Sequence, residues 1–173
     1  MGVNDSRRFP AFASFIHQTY PAANRIADVA GGNGRLSFYL RELGFEATVI
    51  DSRDTNLPNR MRRMLRKESI RKGKLASIPK IINKVEDEDL SEFDLLVALH
   101  PDEATEHVIR MAIALNKDFA VIPCCVFPID GIKRSHDDWR DYLTTIAPLT
   151  QTAYLPIEGD DVVLYRTGSS FTV

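Results

Sequence analysis

Seven consecutive residues, Asp28-Val29-Ala30-Gly31-Gly32-Asn33-Gly34, have the types and order with which a chain grips a polar ligand through its backbone. Gly31, Gly32 and Gly34 carry no Cβ, so peptide amides there can approach a bound group closely. A helical pattern starting at Leu36 sets those amides at a helix N-terminus. Residue types alone therefore point to a nucleotide-like ligand without naming it. Asp28 adds a carboxylate ahead of the turn, which suits a cationic group. Asp51, with Ser52 beside it, closes the next apolar run 17 residues beyond Gly34. Against a dinucleotide-binding fingerprint the turn reads Gly32-x-Gly34-x-x-Ser37, with Ser37 where the last glycine belongs, which disfavours a nicotinamide cofactor.

A second reactive segment is Leu99-His100-Pro101-Asp102-Glu103-Ala104, directly after an uncharged apolar run. His100 is placed to act as a general base near neutral pH. The alternative is that Asp102 caps the following helix and His100 packs at the strand end. Cys124 and Cys125 are adjacent and could form only a strained ring. His17, His100, His107 and His136 are scattered without ligand spacing, so no metal site is expected.

Charge is segregated. Residues 53–84 hold 11 of the 22 basic residues against two acids, Asp54 and Glu68, and residues 86–94 carry six acids and no base. Within residues 58–73 the spacing of Arg60, Arg63, Lys67 and Arg71 places them on one side of a helix, with Met61, Met64 and Leu65 as its core stripe. Such a row is either a solvated face or a track for a phosphate backbone. No Phe, Tyr or Trp occurs between Phe45 and Phe93, so this region has no platform for stacking bases.

The elements that must position these groups alternate. A leading helix is expected over 10–20, stopped by Pro21. Strands follow over 25–30, 47–50, 78–85, 93–99 and 119–126, with helices over 36–43, 58–73, 104–116 and 139–146. Residues 151–155 and 162–166 are two strands whose six-residue connection is too short for a crossover helix, which predicts a hairpin. The pattern is α/β, a mostly parallel seven-stranded sheet between helical layers that ends in an antiparallel C-terminal hairpin.

A chain of 173 residues can bury roughly 70% of its unfolded surface, and no linker or repeat divides it, so one domain over 1–173 is expected, with 1–24 as a leading helix and 25–173 as the core. No apolar run approaches the roughly 18 residues of a membrane span, and residues 1–8 show no secretory pattern. A cytoplasmic protein is the expectation.

On the acidic residue, the glycine turn and the terminal hairpin, residues 25–166 resemble class I S-adenosylmethionine-dependent methyltransferases, with Ala30 standing for the first glycine. The resemblance implies a three-layer Rossmann-like sandwich and S-adenosylmethionine as cofactor. It implies that Asp28, Ala30, Gly31, Gly32 and Gly34 hold the methionine end, Asp51 and Ser52 the ribose, Glu86 or Asp87 the adenine amino group, and that Leu99, His100 and Asp102 face the reacting centre. Leu99-His100 and Cys124-Cys125 also resemble segments of RNA-directed methyltransferases, in which Cys-Gly-Asp stands where this chain has Pro101-Asp102-Glu103. RNA is thus the leading acceptor, met by Arg60, Arg63, Lys67 and Arg71, ahead of a small molecule or a protein side chain. The alternative is a non-catalytic binding module that partners a larger enzyme, and a homodimer is a further option.

Overall fold

The computed structural model describes residues 7–73, 77–159 and 161–168. Four short apolar runs become strands that are largely buried on both faces, and each of these four is followed by an amphipathic helix. In chain order the elements are α1 (Arg8–Thr19), β1 (Arg25–Val29), α2 (Arg35–Glu42), β2 (Glu46–Ile50), α3 (Asn59–Lys72), β3 (Lys80–Ile81), β4 (Leu95–Leu99), α4 (Thr105–Ala114), β5 (Asp118–Ile122), α5 (His136–Ile146), β6 (Gln151–Tyr154) and β7 (Val162–Arg166). Single 3₁₀ turns occupy Val85–Asp87 and Asp102–Ala104.

All seven strands form one sheet in the order β3-β2-β1-β4-β5-β7-β6. β1 to β5 run parallel, and β7 and β6 are antiparallel additions, as the short connection between them requires. The two-residue period of a strand divides the core. Ala27, Val29, Leu96 and Ala98 face α4 and α5, where Val108, Ile109, Trp139 and Leu143 pack. Ile26, Leu95 and Val97 face α1 and α2, against Phe12, Ile16, Leu36 and Leu40. Because the chain lays strands outward from β1 and then returns to β4 on its other side, the carboxyl ends of β1 and β4 flank a crevice at the switch point, where open α/β sheets take ligands.

Polar ties hold the frame at both ends. Asp94 accepts from the backbone N–H groups of Asn24 and Arg25 at 2.8 Å each, which fixes the start of β1 against β4. The Tyr20 hydroxyl donates to the Phe119 carbonyl at 2.7 Å and joins α1 to β5. On α4, the fully buried Glu106 accepts from Tyr142 at 2.8 Å, Arg110 at 2.7 Å and the Ile129 backbone N–H at 2.9 Å. It thereby anchors α5 and the loop that follows β5 to one helix.

Three expectations are corrected. β3 covers two residues rather than 78–85, because Pro79 has no N–H to donate and only its carbonyl pairs, accepting from the Val49 backbone N–H at 3.0 Å. β5 stops at Ile122, just before Pro123, so residues 124–126 are loop and not strand. Met64 is 43% exposed; α3 meets the rest of the fold through one small cluster, in which Met61 and Leu65 join Phe38 of α2, Val49 of β2 and Ile78. Among the described residues no helix is long and apolar enough to cross a membrane.

Replacing Glu106 by Ala leaves three donors around a methyl group, so Glu106→Ala should cost about 3 kcal/mol in urea unfolding. Glu106→Gln, which keeps an acceptor, should cost less. Equal losses in the two variants would mean that packing, and not hydrogen bonding, holds this corner.

Candidate active site

β1 delivers Asp28 to the interior, where it is fully buried. Its Oδ2 accepts from the Ser37 backbone N–H at 3.0 Å and from the Ser37 hydroxyl at 2.7 Å, so the first turn of α2 is tied to the end of β1. Oδ1 is buried without a hydrogen-bond partner among the described residues. Burial pushes the Asp28 carboxyl from 3.8 up to about 7, nearby Asp51 adds to this, and the Ser37 donors oppose it. Residue type alone did not show that Ser37, which spoils the dinucleotide fingerprint, is the clamp on Asp28.

The turn itself explains its glycines. A Cβ on Gly31 would sit 2.7 Å from the Asp28 carboxyl carbon. Gly34 opens α2 at φ +80° and faces Val49, which a Cβ there would meet at 3.3 Å. Ala30 is left-handed at φ 51°, the conformation that favours glycine. The Gly32 backbone N–H donates to Asp51 Oδ2 at 2.8 Å, which joins the turn to the end of β2.

Asp51 is buried beside the turn, and its two oxygens also accept from the Arg53 side chain at 3.1 and 3.2 Å. Burial alone would raise its carboxyl, but the donors from Arg53 and Gly32 outweigh this and hold it below the usual carboxylate range. The Arg53 side chain is 66% exposed, so it can swing aside when a ligand claims Asp51. Lys80 donates to the carbonyls of Gly32 and Thr55 and braces the turn from β3.

Above these groups lies a cavity of about 560 Å³, within the usual size range of small-molecule sites. Val29 and Ala30 line it from β1, Ile50, Asp51, Ser52 and Arg53 from β2, and Val85 and Glu86 from the first 3₁₀ turn. Pro101 to Ala104, His107, Cys125 and Phe127 close the far side. Of the two acids read from the sequence, Glu86 lines the cavity and Asp87 does not. Leu99 and His100 do not line it either. His100, at φ 54°, turns toward α1, where its Nδ1 accepts from Arg8 at 3.2 Å.

Asp102 points into the cavity wall from a left-handed residue at φ 49°. It does not cap α4 with its side chain; only its carbonyl is used, accepting from Thr105 at 2.8 Å. The carboxylate instead accepts from the Cys124 thiol at 3.1 Å. Burial and the neighbouring Asp102 carboxylate push that thiol up to about 12, so Cys124 stays protonated and acts as a donor. Asp102, Cys124 and Cys125 bring one donor atom each within 4.8 Å of one another, a grouping that sequence spacing did not foresee. His107, Arg53 and Phe127 were likewise unmarked in the sequence, because α4 and two loops carry them to the cavity. Arg60, Arg63, Lys67 and Arg71 are all exposed on α3 away from it, and Arg71 reaches Glu68 at 3.5 Å.

A family model described as "Methyltransferase domain" matches residues 7–130. A Caenorhabditis elegans protein named "Probable tRNA (uracil-O(2)-)-methyltransferase" is 32% identical over 124 residues, which make up 69% of this chain and 21% of that protein. The chain spans about a fifth of the length of the curated relatives it matches. Among solved structures, Burkholderia thailandensis 1,6-didemethyltoxoflavin-N1-methyltransferase, with S-adenosylhomocysteine bound, aligns with a TM-score of 0.56 at 18% identity over 94% of this chain and 77% of that one. An O-methyltransferase family protein from the same organism aligns with a TM-score of 0.54 at 14% identity over 95% and 61%. At these identities the shared property is the fold.

The turn geometry yields two outcomes. Gly31→Ala must displace Asp28 and should lower thermal stability and ligand affinity together, whereas Ala30→Gly relieves a left-handed residue and should stabilise by roughly 1 kcal/mol. Asp28 also sets a pH dependence. Between 3.8 and about 7 the folded state keeps a proton that the unfolded chain has released, so this group's contribution to stability falls as pH rises through that window and stays low above it. Melting curves should therefore show Asp28→Asn gaining several degrees on the unsubstituted protein from pH 5 to pH 8. A constant difference would mean that Asp28 is ionised throughout.

Proposed function

The chain belongs to the methyltransferase domain family, and from that premise we propose that it binds S-adenosylmethionine in the cavity beside the glycine turn and transfers the methyl group to an oxygen of RNA. The observation that carries this reading is the order of groups along the cavity: Val29 and Ala30 where the glycine turn begins, then Asp51, which the Gly32 N–H holds, and Ser52, then Glu86, with Asp102 on the opposite wall; Asp28, Gly31, Gly32 and Gly34 lie beneath and beside the lining.

The residues fit that cofactor. Asp28 keeps one oxygen beneath the turn that has no partner among the described residues, and an acidic set suits a ligand that carries an ammonium and a sulfonium. Gly31, Gly32, Gly34 and Ala30 would lie against its methionine portion, with Leu99 at the end of β4 behind. Asp51, released by Arg53, would take the ribose hydroxyls beside Ser52, and Glu86 would meet the adenine amino group in preference to Asp87. The bound cofactor supplies an electrophilic methyl carbon on sulfur. The protein's share is to set an acceptor oxygen in line with it, where orientation accounts for much of the rate. The Asp102 carboxylate, which the Cys124 thiol holds in place through Oδ1, would take the proton that the acceptor hydroxyl gives up on methylation. His100, turned toward α1, does not serve as that base in this arrangement.

The name of the nematode relative and the basic face of α3 support RNA as acceptor. Arg60, Arg63 and Lys67 would contact phosphates, and Arg71, paired with Glu68, would contribute less.

Labelled S-adenosylmethionine incubated with transfer RNA should give labelled RNA. Asp102→Asn should lower kcat by roughly 100-fold or more with the cofactor Kd unchanged. Arg63→Glu with Lys67→Glu should weaken RNA binding and reduce its salt dependence. Label appearing in protein or metabolite fractions instead would refute RNA as acceptor. Cofactor binding with no transfer to any fraction would identify a binding module.

A further inference from the structure

On the α1 side of the glycine turn, two guanidinium groups gather around one aromatic ring. The Arg8 guanidinium carbon lies 5.0 Å from the centre of the Phe9 ring and that of Arg35 lies 5.5 Å from the same centre. Both side chains are half-buried, and neither is ion-paired among the described residues. The Nε atom of each is buried without a hydrogen-bond acceptor among the described residues. Arg8 also donates to His100 Nδ1 at 3.2 Å.

Two cations held beside one ring, with buried donors left over, make a poor packing solution and a good anion receptor. The ring quadrupole keeps the guanidiniums in place, and their planar forks match the oxygens of a phosphate. The position is informative as well. Arg35 follows Gly34 directly, and His100 is two residues from Asp102, a separation of at most about 7 Å along the chain. The guanidinium pair and the cavity thus lie on either side of the segment after β4, the pair reached through His100 and the cavity through Asp102.

We propose that Arg8 and Arg35, gathered around Phe9 beside His100, form a subsite for a backbone phosphate of the acceptor RNA, set next to the reacting oxygen at Asp102. The proposal rests on RNA being the acceptor. The shared chemistry is an oxyanion, and its other source is the carboxylate of the cofactor.

The test measures the Kd for transfer RNA as a function of salt, together with the Kd for S-adenosylmethionine, in the full chain and in Arg8→Gln with Arg35→Gln. The double variant should bind RNA about tenfold more weakly or worse. The slope of log Kd against log salt should fall by roughly 1.5, with the cofactor Kd unchanged. Arg8→Lys with Arg35→Lys, which keeps charge and loses the forks, should weaken binding with the slope retained, and separates this effect from misfolding. Weaker cofactor binding with RNA binding intact would assign the pair to the cofactor carboxylate and overturn the proposal. No change in either Kd would overturn it too. If the unsubstituted protein binds no RNA, the acceptor reading fails separately. Inorganic phosphate then becomes the probe: shifts of the Arg8 and Arg35 Nε–H resonances would retain a phosphate subsite for another acceptor, and their absence would overturn it.

Discussion

The buried carboxylate of Asp28 is the constraint around which the site is arranged. A carboxylate in a protein interior is costly unless donors meet it, and here the backbone and hydroxyl of Ser37 both do so on one oxygen. That arrangement ties β1 to α2, leaves space at Gly31 for no side-chain atom, and stretches the connecting turn over the carboxylate. Asp51 then secures the turn from the other strand through the Gly32 N–H. Three elements therefore converge on five residues, and the Asp28 oxygen that has no partner among the described residues lies under their meeting point.

The sheet order supplies the rest of the wall. With β4 beside β1, the segment after β4 must pass the turn, and the left-handed residues His100 and Asp102 send their side chains to opposite sides of it. The loop after β5 is held down by Glu106 through the Ile129 N–H, and the same loop carries Cys124 to Asp102 and Phe127 to the cavity. Stability and site geometry are thus linked through α4. Its buried face packs on the sheet, its Glu106 positions the loop, and its His107 reaches the ligand space.

Much of this was legible in the residues. Alternation of apolar runs, β-branched strands and glycine stops placed four of the five helices and most strands to within two residues, and the short connection after residue 155 identified the antiparallel end. The glycine turn and Asp51 were legible because they depend on local backbone needs. What escaped depends on partners distant in sequence. β3 was overextended, since an apolar stretch that contains Pro79 looks like a strand until its missing donor is counted. Helical spacing puts Met64 in the core, since it does not reveal that α3 meets the fold through one small cluster with Phe38, Val49 and Ile78. His100 and Asp102 were read together as neighbours, yet two left-handed residues divide them between α1 and the cavity. No pattern could show that Arg53 closes over Asp51, or that Ser37 holds Asp28.

The cavity beside this turn is proposed to take S-adenosylmethionine with Asp51 as its ribose partner. Calorimetric titration of the protein and of Asp51→Ala with S-adenosylmethionine and S-adenosylhomocysteine tests it directly. Saturable one-to-one binding of both ligands by the unsubstituted protein is expected, with a loss of at least about tenfold in the variant, since two hydroxyls would lose their acceptor. Equal affinity in the two proteins, or no heat with either ligand, would contradict it.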